Sequence, residues 1–314
     1  MTTAAEKPPP AADSTADVLV MLATYNGAKY LDEQLSSIFS QVGVQVSVIA
    51  RDDGSTDSTP QILDRWQALA ALSWFTGSNL GPAASFMRLV ADAPDASYYA
   101  FADQDDSWDS DKLRIAVDRL AALPSGTPAL YLSAKRIVDE SLRPTGATET
   151  PPPRISFGTA LFYSAGSGCT MVFNRELLAV LKDDPHTSPG MHDHWAYKVC
   201  LAVGGTVVYD SEPHLAYRQH GANVISADES VRKRFGSWWR DARRRDRVGS
   251  GEAAAILARY VSLMPAENQE IARAAAGYRA SFGDRIRLLR DRRFRTGRLI
   301  SDAAFAAAVV AGSF

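Results

Sequence analysis

The chain has 314 residues, enough for one or two domains with a sizeable core, and its 46% apolar and 22% charged residues exclude disorder over most of the length. The formal net charge of −2 excludes a uniformly basic nucleic-acid binder; even so, residues 231–300 hold 18 Lys+Arg and 7 Asp+Glu, a net of +11 that leaves −13 elsewhere. The two cysteines, Cys169 and Cys200, make no disulfide framework and lack metal-site spacing, which points to a reduced, cytoplasmic setting.

Residues 1–17 are rich in Ala, Pro, Ser and Thr and have no apolar run, so they are read as a disordered tail, neither signal peptide nor anchor. Residues 18–23 (VLVMLA) form a short apolar run, as in a strand buried on both faces. Apolar residues at 31, 35, 38 and 39 predict a helix over 31–39. A β-branched run at 44–50 predicts a second strand, and 58–70, with Pro60 in its first turn, a second helix. A third strand at 72–75, a loop at 79–82, a helix over 83–91 and a fourth strand at 97–102 follow. This alternation predicts an α/β fold with a mostly parallel central sheet and crossover helices.

The middle is less regular. Strands are expected at 130–133, 171–173 and 206–209, helices at 176–182 and 194–202, and a surface loop at 144–158 around Pro151-Pro152-Pro153. From about residue 230 the pattern becomes helical and rich in Arg and Ala. No internal repeat is present, and no stretch reaches 18 consecutive apolar residues.

In an open parallel sheet, ligands bind beyond the carboxyl ends of the strands. Here the first strand ends in Ala23-Thr24-Tyr25-Asn26-Gly27, the second in Asp52-Asp53-Gly54-Ser55-Thr56-Asp57 and the fourth in Asp103-Gln104-Asp105-Asp106. Each stretch has a plainer reading as a turn, a helix cap or a solvated loop. Crowded carboxylates, however, repel one another unless a cation neutralises them. A hard divalent ion takes oxygen ligands and commonly binds one or two carboxylates together with substrate phosphates.

The ordered set ATYNG (23–27), DDGSTD (52–57), DQDD (103–106), HDHW (192–195) and YRQHG (217–221) resembles the family 2 glycosyltransferases with the GT-A fold, and within them the bacterial rhamnosyltransferase-type branch. The resemblance covers about 18–225. It implies a Rossmann-like GT-A glycosyltransferase domain over 18–229, followed by a helical basic extension over 230–314. It further implies that Thr24, Tyr25, Asn26, Asp52, Asp53 and Asp103 bind the nucleotide, with Asp52 accepting from a pyrimidine N3–H. Asp103 and Asp105 would hold Mn²⁺ or Mg²⁺, with His220 completing the site and Asp106 close by. His220 is otherwise a surface loop histidine. Gly168, in the segment 166–170, would lie near the donor sugar. Cys169 is read as a small buried hydrophobe. Asp193 would be the base that takes the acceptor's proton, although its position also suits a helix N-cap. Trp195 suits a sugar-stacking wall or a core aromatic, and Arg218 suits a diphosphate contact.

The implied activity is inverting, metal-dependent transfer of a sugar from a nucleoside diphosphate, dTDP-L-rhamnose before a UDP-sugar, to a glycan or lipid-linked acceptor. A sugar nucleotidyltransferase would open with a glycine-rich, Arg-containing loop, which the first strand end lacks. A non-catalytic nucleotide-sugar binder would carry a damaged base or metal motif, and both are intact. The basic tail, with Arg232, Lys233 and Arg234 beside Phe235, Trp238 and Trp239 and a second run over 285–300, has two readings. It is an interfacial segment at an anionic membrane on the inner face of the cell membrane, or a helical extension packed on the body. Nucleic acid is not expected as a partner.

Overall fold

The computed structural model describes residues 15–146, 151–152, 154–182, 190–220 and 248–314. The first half alternates as expected: β1 (Asp17–Thr24), α1 (Leu31–Phe39), β2 (Gln45–Asp52), α2 (Thr59–Leu69), β3 (Leu72–Thr76), α3 (Pro82–Asp92) and β4 (Tyr98–Ala102). Then come β5 (Ser107–Trp108), α4 (Lys112–Ala121), β6 (Ala129–Val138), the single-turn α5 (Phe157–Ala160), a 3-10 turn at Gly168–Thr170, β7 (Val172–Asn174), α6 (Arg175–Lys182), α7 (His192–Ala202) and β8 (Thr206–Arg218). The C-terminal part is α8 (Val248–Tyr260), α9 (Ala266–Gly277), α10 (Phe282–Arg290), a 3-10 turn at Arg292–Phe294 and α11 (Leu299–Ala311).

One sheet runs β3-β2-β1-β4-β7-β6-β8-β5. β1 pairs in parallel with β2 and β4, β2 with β3, and β6 with β8, while β7 runs antiparallel between β4 and β6. Two strands are longer than expected. β6 continues to Val138 and β8 to Arg218, because their parallel pairing resumes after a register break around Ala134. That continuation delivers Lys135, Tyr217 and Arg218 to the neighbourhood of the acidic loop after β4. The expected loop at 144–158 gives way at its end to α5, entered through a capping box between Ser156 and Thr159.

β1 divides the core by its two-residue period. Leu19 and Met21 face one cluster with Phe86, Phe101 and Trp195, whereas Val18, Val20 and Leu22 face another with Leu35, Leu63, Ala100 and Trp108. The C-terminal helices join the first cluster: Ile256, Tyr260, Tyr278, Leu288, Phe294, Phe305 and Phe314 are all buried in it. Phe305 stacks on Phe162 at 4.6 Å and on Phe294 at 5.6 Å, so the end of the chain is anchored by rings. The boundary expected at 229/230 and the basic stretch from Arg232 to Trp239 lie outside the described residues.

Candidate active site

The parallel register puts the ends of β2, β1 and β4 side by side, with Thr24 opposite Asp52 and Leu22 opposite Ala102. The loops that follow are tied together. Gln104 Oε1 accepts from Thr24 Oγ1 (2.6 Å) and from the Tyr25 N–H (2.9 Å). Asn26, in the left-handed region at φ 48°, accepts at Oδ1 from the Thr56 N–H (2.9 Å), and its own N–H donates to Ser55 Oγ (2.8 Å). Thr24 Oγ1 and Asn26 Oδ1 are therefore engaged in loop geometry. Between them the Tyr25 ring stands out, 47% exposed.

Asp52 is buried and shapes its own turn, accepting from the N–H groups of Gly54 (3.2 Å) and Ser55 (3.0 Å) and from the Ser55 hydroxyl. Asp53, expected at the nucleotide, has structural partners. It pairs with buried Arg51, accepts from the Ser85 hydroxyl, and receives the N–H groups of Leu80 (3.1 Å) and Gly81 (3.0 Å) at the start of α3. Both of its oxygens are committed to fastening β2 to α3.

The acidic loop gathers into a cluster. A carboxylate oxygen of Asp103, one of Asp106 and the Cys169 thiol lie within 4.8 Å of one another. Desolvation, then the charges of Asp106, Asp105 and Asp193, push Asp103 well above the ordinary carboxylate range. Desolvation and Asp105 raise Asp106 to about 7. Among the described residues Asp106 Oδ2 has no hydrogen-bond partner. At the edge of the cluster, Asp105 Oδ2 and His220 Nε2 are 2.8 Å apart, with the His220 ring against Tyr30 at 4.9 Å. Oxygen-rich donors that repel one another, with an orphaned carboxylate oxygen among them, fit a hard divalent cation; the adjacent imidazole is compatible with Mn²⁺.

Asp193 sits in the first turn of α7, where the helix dipole favours an anion. Met191, not Asp193, is the N-cap. Asp193 Oδ2 accepts from the Gly168 N–H (3.0 Å) and Oδ1 from the His194 N–H (2.7 Å). Burial works against its charge, yet its pKa lies below the ordinary range. His192 and His194 lower it first and the two backbone N–H groups after them; since burial pushes His192 itself down to about 4 and leaves it neutral at pH 7, His194 and the N–H groups of His194 and Gly168 are what keep Asp193 ionised there. Gly168 was expected at the donor sugar. Its place is under Asp193, where a Cβ would come within 2.8 Å of His192 Nε2 and 3.2 Å of Asp193 Cβ.

Trp195 and Arg218 both lie buried. Trp195 is 1% exposed and packs near Tyr260, so it is the core aromatic and not a wall of the cleft. Arg218 is equally buried: its guanidinium donates to the Asp105 carbonyl (2.9 Å), reaches Glu33 Oε2 (2.6 Å) and stacks over Tyr30. It braces the acidic loop, with all three of its nitrogens engaged. Lys135 was missed in the sequence. Its ammonium donates to Ser167 Oγ (2.5 Å), lies 4.2 Å from the Tyr217 ring centre, and acts on Asp103, Asp106 and Cys169 as a nearby positive charge. A single lysine in an apolar strand carries no local signal; only the β6–β8 register brings it here.

Known proteins agree with this architecture. The chain is 31% identical to the dTDP-rhamnosyl transferase RfbG of Shigella flexneri over 236 residues, which are 68% of this chain and 76% of that protein. The structure of S. aureus TarS 1-349 in complex with UDP-GlcNAc superposes with a TM-score of 0.55 at 16% identity, over 95% of this chain and 89% of that one. The mannosyltransferase PcManGT from Pyrobaculum calidifontis, in complex with GDP-Man and Mn²⁺, gives a TM-score of 0.50 at 22% identity, over 94% and 86%. At those identities the two structures speak for the fold, which is GT-A. The Glycosyl transferase family 2 model matches residues 19–178. The nucleotidyltransferase and non-catalytic alternatives fall with that match: the chain belongs to glycosyl transferase family 2 and is a glycosyltransferase.

Proposed function

We propose that this glycosyltransferase moves L-rhamnose from dTDP-L-rhamnose, with inversion, to a hydroxyl of a glycan or lipid-linked acceptor, with Mn²⁺ or Mg²⁺ bound. The observation that carries the reading is the meeting of one ionised, backbone-held carboxylate, Asp193, with the acidic cluster at the carboxyl edge of β1, β2 and β4. The donor sugar rests on the likeness to a dTDP-rhamnosyl transferase; UDP-sugars are the competing donors. The two cysteines are free and buried, as a reduced compartment allows.

Tyr25 offers its exposed ring to the base, beside the turn that Asp52 shapes. Asp103, Asp105 and His220 would hold the metal, with the unpartnered oxygen of Asp106 close enough to Asp103 to join them and Lys135 setting the charge behind. When bound, the metal supplies stabilisation of the departing diphosphate's charge. Asp193 takes the proton from the acceptor hydroxyl as its oxygen bonds to the anomeric carbon. The bond from that carbon to the diphosphate breaks, and the nucleoside diphosphate leaves. One displacement inverts the centre, and no covalent enzyme intermediate is needed.

A panel of dTDP- and UDP-sugars, assayed for nucleoside diphosphate release with and without Mn²⁺, tests the reading. Release is expected from dTDP-L-rhamnose, dependent on metal and acceptor. Asp193→Asn keeps the shape and removes the basicity, and is expected to lower turnover about 10²- to 10⁴-fold while donor affinity stays. A folded Asp193→Asn chain with near-normal turnover would remove Asp193 from the role of base.

A further inference from the structure

The outward face of α11 has no covering element among the described residues. Phe305 and Val309 turn into the core, while Leu299, Ile300, Ala303, Ala307, Val310 and Ala311 are exposed. That is helical spacing, and every residue of it is apolar. Leu299 is 91% and Ile300 80% exposed, and Phe282, at the start of the neighbouring α10, is 78% exposed. A helix on a water-facing surface normally turns polar residues outward. Here the one charged side chain of α11, Asp302, is folded back onto the Thr296 N–H and hydroxyl.

Guanidiniums border this stripe. Arg154, Arg290, Arg292 and Arg295, with Thr296 and Gly297, line a cavity of about 600 Å³ that contains no carboxylate. Arg298 stands at the start of α11, and Arg285 donates to the Val310 carbonyl (3.4 Å) near its end. Arg287 and Arg293 are neutralised by Asp284, Asp291 and Glu270. Among the described residues the six bordering arginines have no such partner.

Charge decides the occupant. A second copy of the chain would bring the same arginines face to face. The chain's own segment 221–247 holds eight Lys+Arg and four Asp+Glu, so it too has the wrong sign. A surface that is anionic outside and apolar beneath matches both features at once. We infer that the outward face of α11 and the arginine cavity beside it dock on an anionic lipid bilayer, Leu299 and Ile300 entering the acyl boundary and the cavity taking lipid phosphates. The inference is independent of donor and metal.

The full-length chain is tested by co-sedimentation with phosphatidylcholine vesicles, with and without phosphatidylglycerol. It is expected to pellet with the anionic vesicles alone and to be released by salt, which screens the contact. Arg292→Gln with Arg295→Gln should weaken partitioning about fivefold per charge removed. Leu299→Ser with Ile300→Ser should weaken it by an order of magnitude or so while the arginines stay. Both double variants should melt like the parent and release nucleoside diphosphate from soluble donor at its rate. Failure to bind anionic vesicles overturns the inference. So does undiminished binding by both variants, which would move the contact to 221–247. So does inorganic phosphate filling the cavity without competing against vesicles, which would make it a site for a soluble anion.

Discussion

Gly168 and Asp193 show how little room the base has. The Gly168 N–H supports one carboxylate oxygen at 3.0 Å, and the space where a Cβ would stand is taken by His192 and by Asp193 itself. Those neighbours belong to the first turn of a packed helix and have no flexible end to swing away. Gly168→Ala is therefore expected to push Asp193 off its position, and a misplacement near 1 Å costs about 10²-fold in rate. The checks are turnover and donor affinity measured together: turnover should fall while nucleotide affinity holds. A loss of affinity with turnover intact would return Gly168 to the donor-sugar contact that the glycine-rich segment suggests. The roles of Trp195 and Arg218 were not legible residue by residue, because a tryptophan wall and a tryptophan core read alike, and so do an arginine for diphosphate and one that braces a loop. Partners 185 positions away in the chain, such as Glu33 for Arg218, settle the second.

Among elements, the strands buried on both faces were the most legible, since a continuous apolar run such as 18–23 admits few other readings of that length. β5 was missed because two residues carry no period. The second half of β8 was missed because Asp210, Glu212 and His214 break its apolar pattern where it passes the bulged stretch of β6. The carboxyl ends of β1, β2 and β4 were legible from sequence as neighbours, and the register puts them side by side, but the partners of each side chain were not. Asp53 is the clearest instance. Its carboxylate and the Arg51 guanidinium are both about 5% exposed or less, and together they anchor the entry to α3. Asp53→Ala would leave a buried guanidinium without its partner, a loss of about 3–5 kcal/mol. Denaturant unfolding should register that loss, with weaker nucleotide binding following from it. An Asp53→Ala chain as stable as the parent but unable to bind nucleotide would reverse the assignment.

Over the whole molecule, the sheet is closed on one side by a core to which α3, α6, α7 and the C-terminal helices all contribute, so a charge appearing inside it destabilises the entire fold. His192 is the group that can bring one. It is 3% exposed, stacked on Phe86 at 3.8 Å and edge-on to Phe101 at 4.8 Å, with neither ring nitrogen partnered among the described residues. Burial lowers its pKa from 6.5 to about 4. Between those values the unfolded chain holds a proton that the folded chain refuses, so stability falls as pH falls through this window, by roughly 3 kcal/mol. Asp106 acts in the opposite sense when no metal is bound. Desolvation and Asp105 hold its pKa at about 7 in the fold, above the ordinary 3.8, so the folded state binds its proton first and gains as pH falls. The two partly cancel in the parent chain, and the comparison with His192→Leu separates them. The variant is expected to lose none of the stability that His192 costs the parent on acidification, so its advantage over the parent should widen steadily from pH 7 to pH 4. Unfolding free energies of the two chains, measured without metal across that range, decide it: parallel profiles would mean that His192 takes up its proton inside the fold without penalty, and that the aromatic floor under Asp193 is open to water.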